Sequence, residues 1–416
     1  MNSRLLRRAV LAAVTFGLGT AFAVAQTRPI NHQNFELIAR GRYLTVLGDC
    51  AACHNSPDGT PFAGGNPVPT PFGTMRGANI TPDKDTGIGN WSNEQFYHAL
   101  HDGVGDVRLY PAMPYTYYTK MTRQDVMAIR AYLNTVKPVR HDVTSDTLPF
   151  PFDIRAPATT VWDWLFFSPG TFKPDPHKSA AWNRGAYIVQ GPGHCGACHS
   201  PKTMLGGDQS GKQLRGADLQ GWVAPDITNA KRIGLDAWTV QDIAEYLKTG
   251  ANRFTDASGP MADEIRHSSS HWTEADLKAV ATYLKDQPGG DHQAPKPLAA
   301  SDPRMQAGKA IYEDQCSACH TMDGGGIQRM FPQLKGSPFV QQPDPTSLLQ
   351  VVVNGTRAVA TDERPTGPAM PGFGWKLSNA QIAAVVTYVR NAWSNAAPPV
   401  SPGDVGKIRH AGGSGS

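Results

Sequence analysis

The apolar and polar positions of this chain follow a helical pattern that recurs. Three segments, Ala128-Ile129-Arg130-Ala131-Tyr132-Leu133, Ala279-Val280-Ala281-Thr282-Tyr283-Leu284 and Ala384-Val385-Val386-Thr387-Tyr388-Val389, place apolar residues at i, i+3 and i+4. That spacing predicts helices that each bury one stripe. Each segment follows an earlier expected helix, marked by Gly41-Arg42-Tyr43-Leu44, Gly185-Ala186-Tyr187-Ile188 and Gly308-Lys309-Ala310-Ile311-Tyr312. Between them, Trp91 to Gly103 and Trp238 to Gly250 span the same offset of twelve residues, each with an apolar-periodic stretch. Repetition at this scale predicts a mainly α chain of small tandem domains, at residues 31–143, 179–290 and 303–395.

The remaining stretches read as connections. Residues 144–178 and 291–302 are proline-rich linkers, and 396–416 is expected to be a flexible tail. The most apolar part of the first linker, Val161-Trp162-Asp163-Trp164-Leu165-Phe166-Phe167, admits two readings. It is either an exposed anchor for a membrane surface, a quinone or a partner, or a segment folded back against the first two domains.

At the N-terminus, Arg4, Arg7 and Arg8 precede an apolar run from Ala9 to Ala21, and Ala23-Val24-Ala25 offers a small-residue cleavage site before Gln26. Residues 1–25 are therefore expected to be a secretory signal, too short and wrongly flanked for a membrane span. Export to the periplasm follows. Removing the three arginines takes the net charge from +4 to +1, which leaves no nucleic-acid footprint. No other apolar run is long enough to cross a bilayer.

All six cysteines fall in three copies of Cys-x-x-Cys-His: Cys50, Cys53 and His54; Cys195, Cys198 and His199; Cys316, Cys319 and His320. This pattern attaches c-type haem. Two thiols one helical turn apart form thioether bonds to the porphyrin, and the next residue offers an imidazole to the iron. A disulfide framework would make the histidine after every second cysteine a coincidence. Zinc usually takes four ligands from two closed pairs, into which three such units do not divide. Three covalently bound haem c groups are expected, and export agrees with this because the attachment happens outside the cytoplasm.

The sixth ligand decides what such an iron does. An open iron binds ligands, whereas methionine opposite histidine closes it and raises its potential. Each repeat carries a methionine in a proline- or glycine-rich loop before its third helix: Met113 in Pro111-Ala112-Met113-Pro114, Met261 after Gly259-Pro260, and Met370 in Pro368-Ala369-Met370-Pro371. His267 and His271 are rivals to Met261. Met204 lies too close to His199 to reach the opposite face. Arg76, Arg215 and Arg357, with the loops at Asn79-Ile80-Thr81 and Asp226-Ile227-Thr228, are weaker candidates for propionate contacts. His98, His101 and His194 are expected to be surface or structural residues.

Together with Tyr110-Pro111-Ala112-Met113-Pro114-Tyr115, Trp162-Asp163-Trp164-Leu165-Phe166 and Trp182-Asn183-Arg184-Gly185-Ala186-Tyr187, these motifs make a combination that resembles a known family. It is similar to the triheme cytochrome c subunit of bacterial membrane-bound dehydrogenases acting on alcohol, gluconate, sorbitol, fructose or glucose. The resemblance implies three tandem class I cytochrome c domains and a partner dehydrogenase subunit, either a flavoprotein or a quinoprotein. It also allows for a small third subunit, and it implies ubiquinone as acceptor and peripheral attachment at the periplasmic face of the inner membrane. The chain itself shows no nucleotide-binding Gly-x-Gly-x-x-Gly in a strand–helix context, so no substrate-oxidising site is expected in it. Two other functions remain open, a free-standing periplasmic carrier and a haem enzyme with one open iron.

Overall fold

The computed structural model describes residues 34–412 apart from 145, 151, 220 and 291. The expected signal segment lies outside the described residues. The first repeat contains α1 (Phe35–Leu47), α2 (Cys50–His54), the antiparallel hairpin β1 (Pro67–Thr70) and β2 (Gly73–Arg76), then α3 (Asn93–His101), α4 (Tyr115–Tyr118) and α5 (Arg123–Leu133). After α6 (Arg155–Phe166), the second repeat runs α7 (Ala180–Gln190), α8 (Gly196–His199), the hairpin β3 (Arg215–Leu219) and β4 (Trp222–Asp226), α9 (Val240–Thr249), α10 (Pro260–His267) and α11 (Glu274–Lys285). The third has α12 (Pro303–Gln315), α13 (Ser317–His320), α14 (Thr346–Asn354), the short pair β5 (Thr356–Arg357) and β6 (Ala369–Met370), and α15 (Asn379–Val389), followed by α16 (Pro402–Gly412).

The helices start where the chain supplies caps. Asn34, Ser179 and Asp302 accept backbone N–H bonds at the first turns of α1, α7 and α12. Thr122, Thr273 and Ser378 do the same for α5, α11 and α15. Each such cap is worth about 1 kcal/mol. The first and last long helices of every repeat then cross at a glycine. A Cβ on Gly41, Gly185 or Gly308 would lie 1.8 Å from the Ala128 carbonyl oxygen, 2.0 Å from that of Ala279 and 2.2 Å from that of Ala384. Only glycine permits that approach.

The first two repeats bury one continuous apolar cluster, in which Leu44 and Ile129 join Tyr187, Ile188, Leu277 and Val280. The third has its own core around Tyr312, Leu349 and Ile382. Helix α6, within the expected linker, splits its faces. Trp162 donates to the Leu205 carbonyl at 2.8 Å, and Asp163 accepts from Tyr115 and Arg108 at 2.6 and 2.7 Å. On the other face Trp164 is 83% exposed. The folded-back and exposed readings each describe one side of the same helix.

The tail corrects the expectation from sequence. From 396 onward the described residues are packed rather than flexible. Val405 and Ile408 are buried in the core of the third repeat. The wholly buried Arg390 donates to the carbonyls of Val340, Pro343 and Pro398, and Asn391 holds the Ala397 carbonyl. The few apolar positions in this glycine- and proline-rich stretch showed no stripe. Their burial comes from a surface that α14 and α15 create together.

Candidate functional site

Each Cys-x-x-Cys-His copy forms a single helical turn, α2, α8 or α13, entered in the first two repeats through a left-handed residue, Asp49 (φ 47°) and His194 (φ 35°). That turn brings two thiols and an imidazole into one place. No disulfide joins the six cysteines.

The three imidazoles share one arrangement. Nδ1 of His54, His199 and His320 lies 2.7, 2.8 and 3.0 Å from the carbonyl oxygens of Ala78, Pro225 and Pro332. A carbonyl can only accept, so Nδ1 carries the proton and Nε2 keeps its lone pair. Burial lowers the affinity of each ring for a second proton, against the opposing effect of that carbonyl. A neutral imidazole with its second nitrogen anchored is the form that ligates a metal, and the backbone partner fixes its orientation.

The structure places His320 and Met370 on one apolar cavity, whose walls include Cys316, Leu348, Val352 and Phe373. Met113 packs against the cluster that also touches Cys50 and Leu109. Met261, expected in a loop, lies instead in the first turn of α10, where Pro260 starts the helix; it borders a separate small cluster of Ala257, Ala262, Ile265 and Val359, the last from the third repeat. Of its rivals, His271 bonds the Arg266 carbonyl at 3.1 Å, and His267 buries an Nδ1 with no protein partner. Met204 is 96% exposed.

The weaker candidates are mostly engaged within the protein. Asn79 accepts from Thr81 and donates to the Val139 carbonyl, and Asp226 accepts from Thr228. Arg76 reaches the Gly65 carbonyl at 3.1 Å. His98 and His101 both bond the Asp102 carboxylate.

Sequence reasoning missed the junction between the first two attachment turns. Tyr118 donates to the Gly48 carbonyl at 2.6 Å, and its ring meets His194 edge-on at 5.7 Å. Tyr117 lies against Gly196, where a Cβ would come within 2.9 Å of its ring. Helix α10 packs on α2, bringing acids together. Burial pushes the Asp49 carboxyl well above the usual range, and Glu264 repulsion adds to this. Burial also pushes Glu264 up to about 7, against hydrogen bonds from Ser269 and Ser268. No periodic signal marks these residues, because their partners lie in another repeat.

Paired thiols beside a neutral imidazole with a free Nε2, repeated three times, with the Met370 thioether on the same apolar cavity as His320, make a donor set that fits covalent haem. Comparison with known proteins agrees. The chain is 38% identical over 401 residues to a gluconate 2-dehydrogenase cytochrome c subunit from Pantoea cypripedii, covering 90% of each chain. It is 36% identical to the cytochrome c subunit of a quinone-dependent alcohol dehydrogenase from Gluconobacter oxydans, covering 97% of this chain and 87% of that one. It is also 37% identical to a fructose dehydrogenase cytochrome subunit from Gluconobacter japonicus, over 90% and 83%. The family described as cytochrome c matches residues 38–137, 183–288 and 305–393. Those three segments each contain one attachment turn, and with haem c covalently bound there the chain belongs to the cytochrome c family.

Proposed function

We propose that this chain is the three-haem electron-transfer subunit of a membrane-associated dehydrogenase, built from three class I cytochrome c domains. Cys50 and Cys53, Cys195 and Cys198, and Cys316 and Cys319 are its thioether anchors. His54 with Met113, His199 with Met261, and His320 with Met370 would be the pairs that hold the three irons. Bound there, haem supplies a one-electron couple, set at relatively high potential by methionine opposite histidine. The chain's own part is to hold that set still and dry. The carbonyls of Ala78, Pro225 and Pro332 orient the three rings. Leu348, Val352 and Phe373 exclude water around His320 and Met370.

The partner in this proposal is a flavoprotein or quinoprotein subunit oxidising an alcohol, sugar or sugar acid at the periplasmic face, with ubiquinone as acceptor and a small third subunit accommodated. Peripheral attachment would fall to the exposed side of α6, since no described helix is long and apolar enough to cross a membrane. The observation that carries the proposal is the threefold imidazole arrangement, with His320 and Met370 on one cavity. The length of the match to dehydrogenase subunits supports the complex. Purification from mild detergent tests it. Co-elution with a flavoprotein or quinoprotein subunit is expected, whereas a cytochrome always recovered alone is a free-standing carrier. Rapid carbon monoxide binding by the native reduced protein would instead mark an open-iron enzyme.

A further inference from the structure

The methionine-bearing segments of the second and third repeats lean on each other. Helix α9 ends at Gly250 (φ +74°), where a Cβ would come within 2.0 Å of Val359 Cγ1. Val359, 1% exposed, belongs to the third repeat yet packs among Ala257, Ala262, Ile265 and Met261. Five residues further on, Arg364 donates to Asp256 at 2.7 Å, with the two side chains only 14% and 16% exposed. Thr361 and Arg364 exchange backbone hydrogen bonds of 3.0 and 3.1 Å, so a closed turn presents the guanidinium. In return, Thr255, Asp256 and Ser258 of the second repeat wall the cavity that holds His320 and Met370. The segment 254–261 thus lines one site and delivers the methionine of another.

An ion pair this shielded gives up much of its Coulomb gain to desolvation, so stability alone is a poor account of it. Its place between the two methionine-bearing segments is a better one. We propose that Arg364–Asp256, together with Val359, is a positioning device that holds the start of α10, with Met261, and the β6 segment, with Met370, in register, so that each repeat keeps the other's methionine seated. The proposal rests on the axial assignment of Met261 and Met370 made above.

The test uses the full-length, haem-loaded protein and reads three things: the sulfur-to-iron absorption band of the oxidised form, carbon monoxide binding by the reduced form, and the melting temperature. R364Q and D256N are expected to lose up to about two thirds of the band, two sites in three, and to gain carbon monoxide binding with little change in melting. R364K, which keeps the charge, should restore most of the band. V359A, a smaller and uncharged change, should weaken the band through the Met261 side, and it carries the test if R364Q does not accumulate. A full band and no carbon monoxide binding in R364Q, D256N and V359A would overturn the proposal. M370L and M261L, measured alongside, separate the two levels: if they leave the band intact, the axial assignment itself is wrong.

Discussion

Tyr187 of the second repeat donates its hydroxyl to Asp125 of the first at 2.5 Å, and Tyr43 of the first donates to Asp276 of the second at 2.8 Å. Each acceptor is also held by its own repeat, Asp125 by Arg40 at 2.7 Å and Asp276 by Arg184 at 2.8 and 2.7 Å. The four bonded sets form a reciprocal exchange between the two repeats. In the third repeat the equivalent positions are Ala307, Ala310 and Gln381, so it cannot join through this face.

Y43F and Y187F each remove the bond to a charged acceptor that remains paired with its arginine, together with the bond the hydroxyl accepts from the N–H of Thr273 or Thr122. Each is expected to cost about 1.5–3 kcal/mol in denaturant unfolding, the usual range for hydrogen bonds to charged groups. Wild-type stability in the double variant would show that the exchange is incidental.

Acid should weaken the same junction. Burial alone would raise the Asp276 carboxyl, but Arg184 and then Tyr43 outweigh it and hold it below the ordinary carboxylate range. A depressed folded value means the contribution is complete above the unfolded value of about 3.9 and is lost as pH falls through the folded one. D276N should therefore show a smaller drop in melting temperature than wild type between neutral pH and that acid range. Parallel curves would refute the linkage.

Helix crossing makes Gly185 intolerant of a side chain. G185A should cost about 1–3 kcal/mol or more, because the added methyl meets backbone that cannot step aside. G170A, at a position with open space around it, serves as the neutral control, and equal unfolding midpoints for the two would count against the crossing argument.

Truncation after Val400 removes α16 with the buried Val405 and Ile408. Each such side chain contributes about 1.5–3 kcal/mol, so the third repeat should melt earlier and become sensitive to protease. An unchanged melt would restore the flexible tail.

Replacing Met113 by leucine should lower one reduction potential of the three and open that site to carbon monoxide, because thioether sulfur favours the ferrous state. Spectroelectrochemistry reads this directly. Three unaltered potentials would mean that another residue occupies that position.

The attachment turns were legible because their chemistry is local: two thiols and an imidazole within five residues need only one helical turn. Met113 and Met370 were singled out as candidates by their shared Ala-Met-Pro setting. The crossing glycines stood out as the recurring Gly41, Gly185 and Gly308. Tyr43 showed no such signal, because its partner Asp276 is 233 residues away and each looks like an ordinary helix residue. Asp256 and Arg364 escaped for the same reason. The tail misled because its apolar residues are few and become buried only on a surface that two other helices build.

By itself, then, the sequence determined the repeated helical unit and the covalent chemistry, both of which depend on neighbours within a few turns of chain. Only the tertiary structure decided how the units combine. It joined the first two through a shared core and a tyrosine–aspartate exchange, and braced the third against the second through Arg364 and Val359. Those choices depend on long-range packing and on burying charges beside chosen partners, which no local pattern encodes.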